Sequence, residues 1–164
     1  MNESERAALF ADLYRDYRAK LLRLCRSYLS TDTNVDDLFQ EVMLRVWTNL
    51  PSFRHQSQPG TWLYRIAVNT ALLYRRKQQE HPQNQPEPPS QPVHQDHRLL
   101  ILDRLMQELP PQDRVLLTLY LEGFAYKEIA EILGISVDLT GVRLSRIKHA
   151  LEQRWKEINH HERP

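Results

Sequence analysis

One cysteine in 164 residues, Cys25, leaves no partner for an internal disulfide and no thiolate set for a zinc site. Glycine is scarce too, with four against ten prolines. With Leu, Arg, Glu and Gln abundant, that scarcity favours helices over sheet. No run approaches the roughly 20 apolar residues of a membrane span. The N-terminus, Met1-Asn-Glu-Ser-Glu-Arg6, lacks the basic-then-apolar layout of a secretory signal. The expected location is cytoplasmic.

A strong charge excess is also missing. The chain carries a net +1: residues 1–80 hold 12 Lys+Arg against 9 Asp+Glu, residues 81–97 hold no base and two acids (Glu87 and Asp96), and residues 98–164 hold ten of each. A stand-alone DNA binder usually has a marked basic excess, because phosphate neutralisation drives its affinity. A chain this neutral needs something else to hold it on DNA. Catalytic signatures are absent as well. Of seven His, His81, His94 and His97 fall in a Pro-rich stretch and His160 and His161 in the tail. There is no His-Glu-x-x-His, Gly-rich phosphate loop or nucleophile elbow. The expectation is no enzyme, no cofactor and no metal, with Cys25 a packed thiol.

What is present is helical periodicity. Leu9, Leu13, Tyr17, Leu21, Leu24 and Tyr28 recur at spacings of three and four, predicting a helix over 5–29. After the turn cluster at 30–34, a second helix runs from Val35 to about Leu50. Its early acids Asp36, Asp37 and Glu41 suit the helix dipole, Leu38, Val42, Val46 and Leu50 face inward, and Pro51 stops it. A third spans Thr61 to about Gln79, with Leu63, Ile66, Ala67, Thr70, Leu73 and Tyr74 facing inward. Arg65, Asn69, Leu72 and Arg76 form a second face of that helix.

Residues 80–97 hold five prolines and almost no apolar side chain, and read as an extended Pro/Gln-rich linker. Beyond them, Leu99, Leu102, Leu105 and Met106 mark a helix from Arg98 to Leu109, and Pro110-Pro111 opens another that reaches Gly123. Then Ile129, Ala130 and Leu133 define a short amphipathic helix, Gly134 ends it and Ser136 caps the next. In that last helix Thr140, Leu144, Ile147 and Leu151 share a face, leaving Arg143, Arg146 and Lys148 outside. Residues 124–151 thus read as a helix-turn-helix. The fold expected is all-α: two small helical domains, 5–79 and 98–157, joined by the 80–97 linker.

Five segments in order, Asp36–Trp47, Ser52–Arg54, Thr61–Ala71, Leu109–Arg114 and Glu128–Ser136, resemble a bacterial RNA polymerase sigma factor. The class they match is the small extracytoplasmic-function one, which keeps sigma domains two and four. The resemblance implies a non-enzymatic subunit that binds polymerase core, through the β′ clamp helices and the β flap, and directs initiation at promoter DNA. It implies a polymerase-binding role for Asp37, Gln40, Glu41 and Arg45. It also implies that Phe53, Arg54, Tyr64, Arg65, Asn69 and Arg76 open and read the minus-ten element. Rings stack on bases, cations hold phosphates and an amide reads base edges; Arg75 adds charge, whereas Trp62 at a helix start is more often core than contact. Arg143, Ser145 and Arg146 would read the minus-thirty-five duplex. An anti-sigma factor, often at the inner membrane, is the further partner implied; no small-molecule substrate is.

The chain departs from the family at two points. Leu139-Thr140-Gly141 stands where Thr-Val and a basic residue are usual, and Ala125 replaces a capping Ser or Thr, giving up ~1 kcal/mol of cap. The alternative is a stand-alone helix-turn-helix regulator, which leaves Trp62–Ala71 and the Pro-rich spacer without a role.

Overall fold

The computed structural model describes residues 2–29, 34–54, 57–80 and 96–161. Helices α1 (Glu3–Tyr28), α2 (Val35–Asn49) and α3 (Pro59–Glu80) precede residues 81–95, and α4 (His97–Glu108), α5 (Pro111–Leu121), α6 (Tyr126–Leu133) and α7 (Val137–His161) follow them. No strand occurs among the described residues. Most of the expected linker, the turn cluster at 30–33, His81, His94 and the side chains of His160 and His161 lie outside them.

Local chemistry accounts for the helix ends. Asn2 caps α1, its Oδ1 accepting from the Glu5 N–H at 2.8 Å while Glu5 Oε2 accepts from the Asn2 N–H at 2.9 Å. Pro51 turns the end of α2 into one 3-10 turn, Leu50–Ser52. Helix α3 begins at Pro59, two residues before the predicted start, as Pro suits a first helical position. Gly60 follows because a Cβ there would lie 3.1 Å from the Tyr17 ring. Gly134, at φ +67°, ends α6 in the left-handed region. Ser136 Oγ accepts from the Leu139 N–H at 3.1 Å and opens α7. The missing hydroxyl at Ala125 is offset in part by Glu128, whose Oε2 accepts from the Ala125 N–H at 2.8 Å.

Most of the expected stripes of α1 and α2 are inside: Leu13, Leu21, Leu24, Tyr28, Leu38, Val42, Val46 and Leu50 are buried, with Leu9 and Tyr17 half-buried against them. Arg6 clamps these two helices, its guanidinium 4.1 Å above the Trp47 ring. Helix α3 departs from the expectation. Leu73, predicted inward, is 42% exposed, whereas Tyr64, Val68 and Ala71 are buried with Leu63, Ala67 and Thr70. The cause is tertiary: α3 packs on α1 and α2 with one face and on α6 with another. Helix α5, apolar almost all round, packs against both α1 and α7. Leu99 and Leu102, predicted to face inward on α4, stay 43% and 37% exposed, whereas Leu105 is buried and Met106 packs against the core.

The buried residues of α1–α3 and of α5–α7 form one continuous cluster. Two groups of helices expected as separate domains therefore lie closed against each other. The seam between them runs through the minus-ten candidates.

Candidate nucleic-acid interface

Helix α2 presents the first set of candidates. Asp37 and Gln40 are exposed, and Glu41 is half-buried with its Oε1 accepting from Arg45 Nε at 2.9 Å. Asp37, Gln40 and Glu41 line a shallow hollow of about 330 Å³ whose fourth wall is Leu44. Leu44 is 59% exposed on an otherwise polar face. Its spacing of four from Gln40 and three from Glu41 puts it on their face, although an apolar residue in a helix with an inward stripe is ordinarily read as part of that stripe.

The minus-ten candidates divide between two surroundings. Phe53 packs its ring 4.8 Å from that of half-buried Trp62, so the loop after α2 and the start of α3 share an aromatic pair. Arg54, Asn69 and Arg76 are exposed. Asn69, Leu72 and Arg76 keep the outward face that their spacing predicted.

Tyr64 is elsewhere. It is fully buried, its ring edge-on to Phe124 with centroids 4.7 Å apart. Its hydroxyl has no hydrogen-bond partner among the described residues, and burial, aided by Glu122, holds its pKa far above the ordinary tyrosine value. Arg65 is exposed but paired across the seam, Nη2 to Glu131 Oε1 at 2.9 Å. Arg23 of α1 adds a two-pronged pair with Glu122, the second contact at 3.1 Å. In this arrangement Tyr64 can reach no DNA, and Arg65 reaches it only by giving up Glu131.

The same seam also buries a charge. Arg114 of α5 is 94% buried by its 6% exposure, and its Nε lacks a partner among the described residues. Its pKa is lowered by burial and then by the neighbouring charge of Arg75 on α3. The buried Arg114 guanidinium, with its Nε unbonded, and the unbonded phenol work against closure; the Tyr64–Phe124 contact and two ion pairs work for it.

On the helix-turn-helix, Ser145 and Arg146 are exposed on α7. Arg143 is not free: its Nη2 donates to Asp113 Oδ1 at the start of α5, with about a quarter of each side chain exposed. Lys148 lies 3.9 Å over the Tyr120 ring. The local pattern of α7 placed these cations outside its buried stripe, but could not show that α5 supplies partners for them.

Cys25 is buried, and burial pushes its thiol pKa up to about 12. Iodoacetamide at pH 8 is therefore expected to leave the folded chain unmodified and to alkylate it rapidly in denaturant. Fast labelling of the folded chain would contradict this packing.

The family model described as Sigma-70 region 2 matches residues 13–81, and that described as Sigma-70, region 4 matches residues 99–151. The chain belongs to the sigma-70 family. The sigma factor is 28% identical over 162 residues to the ECF RNA polymerase sigma-E factor of Haemophilus influenzae, covering 87% of its own length and 85% of that relative. It is 27% identical to the ECF sigma factor SigM of Mycobacterium tuberculosis over 154 residues, covering 92% and 79%. It is 26% identical to SigW of Bacillus subtilis over 168 residues, covering 91% and 90%. Its fold is shared with sigma factor RpoE from Bartonella quintana, solved in complex with the anti-sigma factor NepR: TM-score 0.74, 24% identity, covering 88% of this chain and 97% of that one. It is shared too with CnrH, solved with the cytosolic domain of CnrY: TM-score 0.67, 22% identity, covering 90% and 88%. The sigma factor is thus of the ECF class, a transcription-initiation factor that binds RNA polymerase core and directs promoter-specific initiation. Among the described residues no helix is long and apolar enough to cross a membrane.

Proposed function

We propose that the sigma factor works by division of labour between residues 5–79, which dock on core polymerase and open the minus-ten element, and residues 98–157, which hold the minus-thirty-five duplex. The observation that carries this reading is the pair of family matches on either side of the Pro-rich segment. Asp37, Gln40, Glu41 and Arg45, with Leu44, form the polymerase-docking face on α2. Phe53, Arg54, Asn69 and Arg76 are exposed or at the surface where a separated strand can meet them, with Trp62 backing Phe53. Arg146 and Ser145 face the duplex.

The chain's near-neutral charge fits this division, because core polymerase supplies the local concentration that phosphate contacts otherwise would. The chain performs no covalent step; phosphodiester synthesis belongs to the polymerase.

Closed and open arrangements then differ in function. With the seam closed, Tyr64 is covered and Arg65 is occupied, so productive engagement requires α5 to leave α1 and α6 to leave α3. The seam's unbonded phenol and its buried Arg114, with Nε unbonded, make that separation less costly. A partner that bridges both groups of helices would hold the closed form. An anti-sigma factor is the expected partner of this kind; RpoE of Bartonella quintana was solved in complex with one. The reading places the chain in the cytoplasm, held at the inner membrane when such a partner is itself anchored there.

Strand opening tests the residue assignments. Permanganate footprinting of holoenzyme on a promoter is expected to show unpaired thymines around the minus-ten element. Phe53→Ala or Asn69→Ala is expected to weaken that signal by about 1–3 kcal/mol in opening, roughly fivefold to 100-fold. Core binding measured in parallel should stay unchanged. Full opening by both variants would remove these residues from the assignment.

A further inference from the structure

The face of α7 opposite its buried Thr140–Leu144–Ile147 stripe carries Asp138, Leu139, Val142, Ser145, Arg146 and His149, all exposed. A helix that grips DNA chiefly by charge would carry several free cations here. This one carries a single arginine, because Arg143 is bonded to Asp113 and Lys148 lies over Tyr120. At the N-terminal end, the part of a recognition helix that meets base edges, the exposed side chains are largely apolar. Leu139 is 43% exposed and Val142 47%. They sit three residues apart on the outer side, so their side chains are neighbours. Gly141 beside them projects nothing; the nearest side chain to a Cβ there would be the Tyr126 ring at 3.6 Å.

Exposed leucine and valine at this place have a specific partner in duplex DNA. In the major groove only thymine offers an apolar group, its C5 methyl. We propose that Leu139 and Val142 read thymine methyls in the minus-thirty-five element, while Arg146 makes the one strong polar contact, to a guanine. The element is then defined by thymines on either strand under the first turns of α7, next to one G·C pair. The inference rests on the assignment of α7 to the minus-thirty-five duplex, and goes beyond it in naming the chemical group that is read.

The test replaces single atoms in the DNA. Promoters initiated by holoenzyme containing this chain are selected from a library randomised over the minus-thirty-five region. Each enriched thymine is then replaced by uracil, which lacks only the methyl. Uracil at two positions is expected to lower initiation by about fourfold each. Leu139→Ala is expected to abolish the sensitivity at one position and Val142→Ala at the other, while Arg146→Ala relaxes the choice at the guanine by about tenfold or more. Enriched elements without thymine, or initiation indifferent to uracil throughout, would overturn the proposal while leaving the sigma role intact. No initiation from any library member would instead remove the reading on which the proposal rests. The uracil series on the unaltered chain needs no variant to fold.

Discussion

Leu44→Asp is expected to take the sigma factor off core polymerase. Leu44 is the one strongly exposed large apolar side chain on α2, and it forms one wall of the hollow that Asp37, Gln40 and Glu41 complete. A central apolar anchor ringed by polar groups is the arrangement in which truncation of one side chain costs about 2–4 kcal/mol of binding. A carboxylate adds the cost of burying an unpaired charge against the partner. The expected loss of core affinity is about 30-fold to 1,000-fold, read by competition between labelled chain and variant for core enzyme. Because Leu44 is 59% exposed in the free chain, helix content and Tm should hold. Unchanged affinity with an intact fold would move the docking surface off α2.

Tyr64→Phe should do something less intuitive: stabilise the chain and slow its initiation. The phenol ring is fully buried against Phe124, and its hydroxyl is buried without a partner among the described residues. Removing a buried unpaired hydroxyl relieves about 1–2 kcal/mol of desolvation, which in a chain of this size raises Tm by a few degrees. If α5 must leave α1 and α6 must leave α3 before promoter engagement, the same gain shifts the closed-to-open ratio about fivefold to 30-fold toward closed. Initiation at limiting sigma factor should fall accordingly. A lower Tm would mean that the hydroxyl finds a partner in solution. A higher Tm with undiminished initiation would mean that opening does not limit the reaction.

Much of the fold could be read from single helices. The α1 and α2 stripes, the stop at Pro51, the turn at Gly134 and the cap at Ser136 are local features, set by spacing and side-chain type, and all stand where they were expected. What periodicity could not supply was which helix covers which face. Tyr64 has the composition of a base-stacking residue and becomes a seam residue only because Phe124, sixty positions on, packs against it. Arg143 and Arg146 look equivalent in sequence, yet Asp113 at the head of α5 binds one and leaves the other exposed. Leu73 and Tyr64 exchanged places relative to expectation because α3 is covered on two sides. The docking role proposed for the α2 face rests on the family resemblance, since acids and amides on an exposed helix are otherwise a solvated surface. Leu44 shows the converse limit: an outward apolar residue is hidden in a sequence by the inward ones around it.

The measurement closest to the central claim is transcription in vitro with purified bacterial core polymerase, a genomic promoter library and this chain as the only sigma subunit. Transcripts should start at discrete sites only when the chain is added, and should be lost with Leu44→Asp while promoter fragments stay unbound by the chain alone at physiological salt. Tight, sequence-specific binding of the isolated chain to duplex DNA, with no chain-dependent initiation, would contradict the assignment of roles and favour a regulator that acts without joining the polymerase.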